Sequence, residues 1–256
     1  MGDEMKTGSR RGKYVPGTYV KTRPDVAELA ENYIREWEEK RLEVKKERPR
    51  PEMPPSICFS RKIGVGALEI ADILAVKTGY RVVDREILEH IANQAKLSEK
   101  TVALFDERYP GEIGELLSLA FREKAFIKSD YTRHLFRTIL SIAGLGPTIF
   151  VGRGVHMLLP RERVLAIRFI ASKEQRVKRL ADIMDLDEKE VETKIEQMDR
   201  EQRDFFKKIY ERKDASPYEF DLVINCDYIS DPKWAADIVA LAFKEKFGSE
   251  AGGYLM

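Results

Sequence analysis

The chain has 256 residues, 35% of them charged and 43% hydrophobic, and a formal net charge of +1. That is the composition of a globular protein with room for a substantial core and a heavily charged surface, and its near-zero net charge gives no global field that would draw nucleic acid or an anionic membrane. No apolar run approaches the roughly 20 residues of a membrane span, and the first residues, MGDEMKTGSRRGKY, hold no apolar core of a secretory signal, so a soluble cytoplasmic protein is expected.

Residues 1 to about 23 are polar, basic and rich in Gly and Thr, the composition of a flexible tail. Arg10, Arg11, Lys13, Lys21 and Arg23 are the only argument for nucleic-acid binding, and short basic tails are usually just solvated. A helix is expected from Asp25 to about Arg48. Its Val26, Leu29, Ala30, Tyr33, Ile34 and Trp37 recur at helical spacing and form one apolar face. That face either docks on the body of the chain or pairs with a second copy as a homodimer. Pro-Arg-Pro-Glu-Met-Pro-Pro, residues 49–55, then reads as a stiff linker.

From Ser56 onward strands alternate with helices. Ile57-Cys-Phe59 reads as a buried strand, followed by a glycine-rich loop and a helix carrying Leu68, Ile70, Ile73, Leu74 and Val76. Arg81-Val-Val-Asp84 is a second strand, and Ile87, Leu88 and Ile91 mark the next helix. Residues from about Ser98 to Ala143 read as helical, with a turn near Tyr109-Pro-Gly111. Strands at Thr148–Val151, Leu165–Ile170 and Asp221–Asn225 and a closing helix from Trp234 to Phe247 complete the pattern. Short apolar strands separated by helices predict an α/β fold, a parallel sheet covered on both faces. The ligand edge of such a sheet lies at the carboxyl ends of its strands, where Ser60–Gly66, Asp84 and Gly152-Arg153-Gly154 fall. Cys58 and Cys226 are both expected inside strands and read as core thiols of a reduced compartment.

The loop reads Ser60-Arg-Lys-Ile-Gly-Val-Gly-Ala-Leu-Glu-Ile-Ala71. A helix N-terminus reached through a glycine turn offers unpaired N–H groups and a favourable dipole to a phosphate. In the pattern G-x-x-x-x-G-K-[ST], with Gly66 as second glycine, Arg61 replaces the first glycine, Ala67 the lysine and Leu68 the hydroxyl residue. By pattern alone the loop is either a phosphate site or a packing turn.

Ser60-Arg61, Gly64, Gly66 and Glu69-Ile70-Ala71, then Asp84-Arg85-Glu86-Ile87, Val151-Gly-Arg-Gly154 and Asp221-Leu-Val-Ile-Asn225 occur in the order and spacing of the cytidylate kinase-like family of nucleoside monophosphate kinases, which the chain resembles over residues 56 to 247. The resemblance implies a three-layer P-loop kinase fold with a five-stranded parallel sheet, a helical acceptor-binding insertion at about 98–143 and a helical lid at about 173–210, preceded by the 1–55 extension. It implies transfer of the γ-phosphoryl group of ATP, with Mg²⁺, to a nucleoside monophosphate, CMP being the family's suggestion.

On this resemblance Ser60, Arg61, Lys62, Gly64, Val65, Gly66, Ala67 and Leu68 hold the donor phosphates. Arg153 meets the acceptor phosphate, and Asp84 lies near the acceptor phosphate and the metal, through water. Arg176 and Arg179, behind a Ser172 cap, border the ATP phosphates at the base of the lid, and Arg200, Arg203 and Asp204 lie on the lid helix that starts near Asp187. Tyr131, Arg133 and Arg137 are weaker candidates for the acceptor pocket. Each also has a plainer reading: Asp84 as a helix cap, the arginines as solvated surface.

Three departures matter. Ala67 and Leu68 lack even the family's own polar residues, and Val151 stands where cytidylate kinases carry an acidic residue, which puts cytosine recognition in doubt. Arg61 or Lys62 is expected to supply the missing loop charge. The competing function is a catalytically impaired nucleotide-binding module that acts as a sensor or partner-binding protein. His90, His134 and His156 have no metal-ligand spacing, and no catalytic base is required when the acceptor is already anionic.

Overall fold

The computed structural model describes residues 25–43, 53–108, 130–212 and 215–248. The basic tail, the far end of the first helix and the Tyr109–Gly111 turn lie outside the described residues. Eight α-helices and five strands are described, in the order α1 (Val26–Glu43), β1 (Ser56–Arg61), α2 (Ala67–Thr78), β2 (Arg81–Asp84), α3 (Arg85–Asn93), α4 (Ala95–Arg108), α5 (Asp130–Leu145), β3 (Thr148–Val151), β4 (Val164–Ile170), α6 (Lys173–Met184), α7 (Glu188–Tyr210), β5 (Leu222–Asn225) and α8 (Pro232–Phe247). The strands form one sheet in the order β2-β3-β1-β4-β5, and every pairing is parallel.

β1 is buried along its whole length. Its side chains alternate between two cores, as the pleat requires. Ile57 and Phe59 face α2 and α8, in a core that also holds Leu74, Ile167, Val239 and Phe243. Cys58 faces the opposite side, packed among residues of α1, α3, α4 and α5 such as Ile34, Ile87, Phe105 and Ile139. This is the three-layer arrangement expected of the α/β pattern. A third, smaller cluster of Val177, Leu180, Val191 and Ile195 closes the hairpin of α6 and α7 on itself, so that hairpin holds together as a unit beside the sheet.

Some motif positions are architectural. Asp221, just before β5, accepts the Ala166 N–H at 2.8 Å, two bonds from the Arg161 guanidinium, and bonds from Lys246 at 3.0 and 3.1 Å. It pins the edge strand to β4 and to the end of α8. Cys58 is a buried free thiol, pushed up by burial, and Cys226 is a half-buried one. No described helix is long and apolar enough to cross a membrane.

The apolar face of α1 is docked on the chain itself. Ala30, Ile34 and Trp37 are buried, the Tyr33 hydroxyl donates to the Val82 carbonyl at 3.2 Å, and Arg81 pairs with Glu36 at 2.7 Å while lying 5.7 Å from the Trp37 ring. The extension therefore shares the core of the body it precedes. Trp37→Ala is expected to destabilise the fold by about 3–5 kcal/mol, the range for emptying a buried aromatic site. Chemical denaturation checks this; a midpoint equal to wild type would mean that α1 contributes nothing to the core.

Candidate functional site

The glycine loop joins β1 to α2 at the carboxyl edge of the central strand. Gly64 and Gly66 have φ of +89° and +81°, a region L side chains rarely adopt. Gly66 caps α2 with no side-chain hydrogen bond to the first-turn amides, which leaves that end of the helix as a dipole-enhanced donor surface. Ala67 and Leu68, in the places of the lysine and hydroxyl residue, are 2% and 6% exposed and belong to the α2–α8 core. They bring neither charge nor hydroxyl to the loop.

The charge comes from α6. A Cβ added at Gly66 would lie 3.0–3.2 Å from the Arg179 guanidinium, so Arg179 lies directly over the start of α2. Its Nη2 donates to Glu69 at 3.0 Å. One turn earlier, Arg176 donates from Nη1 to the Ile63 carbonyl at 3.2 Å and to both oxygens of Asp199 on α7. Ser172 caps this helix as expected, accepting the Gln175 N–H. Arg61 and Lys62 are placed differently. Arg61 is buried toward the other side of the loop, and Lys62 faces a narrow space beside Arg168, Asp199 and Arg203.

Two clefts meet at the loop. The first, about 280 Å³, is bounded by Gly64–Gly66, Arg176, Lys178, Arg179 and, from the β5–α8 connection, Cys226 and Ile229. The second, about 250 Å³, is bounded by Ser60, Arg61 and Ile63, by Arg85, by Gly152-Arg153-Gly154 and by the Met198–Phe206 face of α7. Three arginines from three segments converge on it. Arg153 is pushed down to about 9, first by burial and then by the charges of Arg85 and Arg61; at neutral pH it remains charged, and the crowding makes an anion the natural occupant. Glu89 pairs with Arg153, and Phe205 lies under its guanidinium at 4.0 Å. The Arg153 Nε is buried without a hydrogen-bond partner among the described residues. Gly152, Arg153 and Gly154 are consecutively left-handed, with φ of +96°, +56° and +67°; at Arg153 that conformation costs roughly 1–2 kcal/mol, a strain of the kind that collects at functional sites.

The remaining candidates are distributed. Ser60 accepts from Arg168 at 2.9 Å and lines the second cleft. Asp84 is buried at the end of β2, where its carboxylate caps α3 through the Ile87 N–H at 3.0 Å, so its capping role is present. Val65 borders the first cleft. Val151 is buried in the core rather than facing ligand. On α7, Arg200 and Asp204 are exposed and border none of these spaces, while Arg203 faces Lys62. The α7 residues that do face the Arg153 cleft are Met198, Glu201, Gln202, Phe205 and Phe206. Glu201, Gln202 and Phe205 are not among the residues expected at the site: Gln202 and Phe205 carry no charge, and Glu201 lies among more conspicuous charges on α7. Their i, i+3, i+4, i+7 spacing from Met198 was the available signal. Tyr131, Arg133 and Arg137 border none of the clefts described.

An all-parallel 2-3-1-4-5 sheet, a glycine loop leading into the first sheet helix and arginines gathered at its carboxyl edge define the P-loop kinase fold. The family model of the cytidylate kinase-like family matches residues 56–228, and the chain belongs to that family. Among solved structures, an uncharacterized protein from Eubacterium ventriosum is similar with a TM-score of 0.56 at 19% identity, over 75% of this chain and 98% of that one. A shikimate kinase from Bacteroides thetaiotaomicron is matched at 14% identity with a TM-score of 0.37, over 75% of this chain and 96% of that one. TT1252 from Thermus thermophilus is matched at 16% identity with a TM-score of 0.33, over 75% and 98%. No curated protein matches the chain.

Gly66→Ala is expected to displace Arg179, because the new methyl meets the guanidinium while the backbone is held at positive φ. The loss in stability should be about 1 kcal/mol or more, with weakened tripolyphosphate binding. Calorimetric titration of tripolyphosphate into the variant checks this, and unchanged affinity would separate the loop from phosphate binding.

Proposed function

We propose that the protein is a nucleotide kinase that moves the γ-phosphoryl group of ATP to a nucleoside monophosphate, with ATP in the cleft under Arg179 and the acceptor phosphate in the cleft of Arg61, Arg85 and Arg153. The observation that carries this reading is the convergence of these three arginines beside the glycine loop, with Arg153 pushed down first by burial and then by the charges of the other two. Two anionic substrates must be brought into line against their mutual repulsion, and arginines from separate segments do that by charge and by bidentate hydrogen bonds. In this reading Arg179 stands where a loop lysine would place its charge. Arg61 belongs to the acceptor side, and Lys62 is peripheral.

Mg²⁺ fits the donor set. Among the described residues no cluster of three or more potential metal-ligating side chains exists, and Mg²⁺ bound to nucleotide needs few protein ligands because it keeps phosphate oxygens and waters. Asp84, at the same edge, would hold it through water. Bound there, the ion would offset charge on the phosphates; the chain's own part is to bind, align and exclude water, the last through α7 over the cleft.

CMP is the acceptor the family name suggests. Because Val151 is buried, the acidic contact expected for cytosine is absent from that position. A cytoplasmic location follows from the same reading, where both nucleotides are supplied. The burial of Ala67 and Leu68 favours a second reading, a module that binds nucleotide without turning it over.

A coupled assay with ATP, Mg²⁺ and each common nucleoside monophosphate, run beside thermal-shift binding, separates the two. Turnover is expected, with Arg153→Ala lowering kcat/KM about 10²–10³-fold, the scale of losing one transition-state charge contact. Arg179→Ala should raise the KM for ATP about tenfold or more, the scale of one charge-assisted contact, with Lys62→Ala close to wild type. A nucleotide-induced shift with no turnover for any acceptor would establish the binding module instead.

A further inference from the structure

Tyr210 ends α7, and its hydroxyl donates to the carbonyl of Arg153 at 2.6 Å. The ring is 1% exposed and stacks on Phe136 with centroids 6.0 Å apart and planes 18° apart. It lies so close to the turn that a Cβ on Gly154 would fall 2.7 Å from its Cε2 and 2.9 Å from its Cζ. Burial pushes the phenol up, so its proton stays in place as a donor at working pH. The group it holds is the carbonyl of the one left-handed non-glycine residue in that turn. Such a conformation persists when its surroundings over-determine it. Five residues earlier on the same helix, Phe205 presents its ring to the Arg153 guanidinium at 4.0 Å.

The same helix also touches the start of the glycine loop. Gln202 donates to the Arg61 carbonyl at 3.0 Å, and Asp199 receives Arg176, which is itself bonded to the Ile63 carbonyl. One continuous helix therefore grips the phosphate loop through Asp199 and Gln202, and the Arg153 turn through Phe205 and Tyr210.

We infer that Tyr210 is a positioning residue for the acceptor phosphate: by bonding the Arg153 carbonyl, with Phe205 supporting the guanidinium, it sets where Arg153 points, so that docking of α7 on the loop and orientation of the acceptor arginine are one event. This rests on the reading of the Arg153 cleft as an anion site. Tyr210 lies beneath the turn and does not border the cleft, so it acts through Arg153. A Tyr210 that served only to fill the core would affect stability without affecting anion affinity.

Full-length wild type, Arg153→Ala, Tyr210→Phe and Phe205→Leu are each titrated with inorganic phosphate, and separately with ATP, following the melting midpoint. In wild type phosphate should raise the midpoint, and Arg153→Ala should remove most of that rise. Tyr210→Phe keeps the ring and its stacking and removes one hydrogen bond. It should need about five- to tenfold more phosphate for the same rise, the scale of one such bond, with its ATP response within about twofold of wild type. Phe205→Leu should weaken phosphate in the same direction by loosening the guanidinium itself. If Tyr210→Phe does not fold, Phe136→Leu, which alters the ring stacked on Tyr210, should also weaken phosphate, and a wild-type response there overturns the positioning role. Wild-type phosphate response in the folded Tyr210→Phe variant overturns the positioning role and leaves the acceptor site standing. Wild-type phosphate response in Arg153→Ala overturns the acceptor site and the positioning role together.

Discussion

Arg61, Arg85 and Arg153 crowd like charge into one partly buried cleft, and much of the surrounding structure serves to hold them there. Electrostatic crowding of this kind is costly to a folded protein, and it persists only where each cation is anchored by something that cannot relax. Arg61 is the last residue of the central strand, fixed by the parallel register of β1 with β4. Arg85 opens α3 directly after the Asp84 cap. Arg153 has the most elaborate support: a carboxylate partner in Glu89, an aromatic face in Phe205 and a backbone clamp in Tyr210. Under the proposed function such a site would be preorganised for the acceptor phosphate, which is how electrostatic stabilisation works.

Under the proposed function, the same logic lets the glycine loop hold phosphate without the usual side chains. Backbone amides and the α2 dipole remain, because they depend only on the glycine geometry and on a helix beginning at Ala67. A cation is supplied from outside the loop by Arg179, and the close contact of that guanidinium with Gly66 requires the absence of a Cβ. Two neighbouring helices thus share the work that a single Gly-Lys-Ser run does elsewhere. Glu69 holds Arg179 in place through a half-exposed ion pair, a contact weak enough at the surface to be exchanged for a phosphate.

Most of the fold was legible because its strands are short, apolar and well punctuated: β2 and β3 fall on the residues expected, and β1, β4 and β5 differ by a residue or two at their ends. The helices α2, α6, α7 and α8 likewise follow from their caps and apolar stripes. What the sequence could not reveal was direction. Arg61 and Lys62 precede the glycines and are expected to stand in for the lysine. Arg61 borders the Arg153 cleft and Lys62 the space beside Arg168, Asp199 and Arg203, while Arg179 is the arginine in contact with Gly66. The arginine that reaches Gly66 is 113 residues later in the chain, and only the packing of α6 against the loop, through Leu180 and Arg176 beside Gly64, brings it there. On α7 the conspicuous charges Arg200 and Asp204 face solvent, while the cleft is met by Gln202 and Phe205, whose side chains carry no charge to attract notice.

The extension α1 belongs to the same chain of constraints. Its Trp37 and Ile34 pack on α3 and α4, and α3 begins at Arg85, directly after the Asp84 cap, at the carboxyl edge of the sheet. Tyr33 bonds to the Val82 carbonyl, and Glu36 grips Arg81 of the same strand. The helix lies outside the matched family region of residues 56–228, yet it bonds to β2, the strand that leads through the Asp84 cap to the cleft residue Arg85. This docking also accounts for the apolar face of α1: it is occupied within the chain, with Ala30, Ile34 and Trp37 buried.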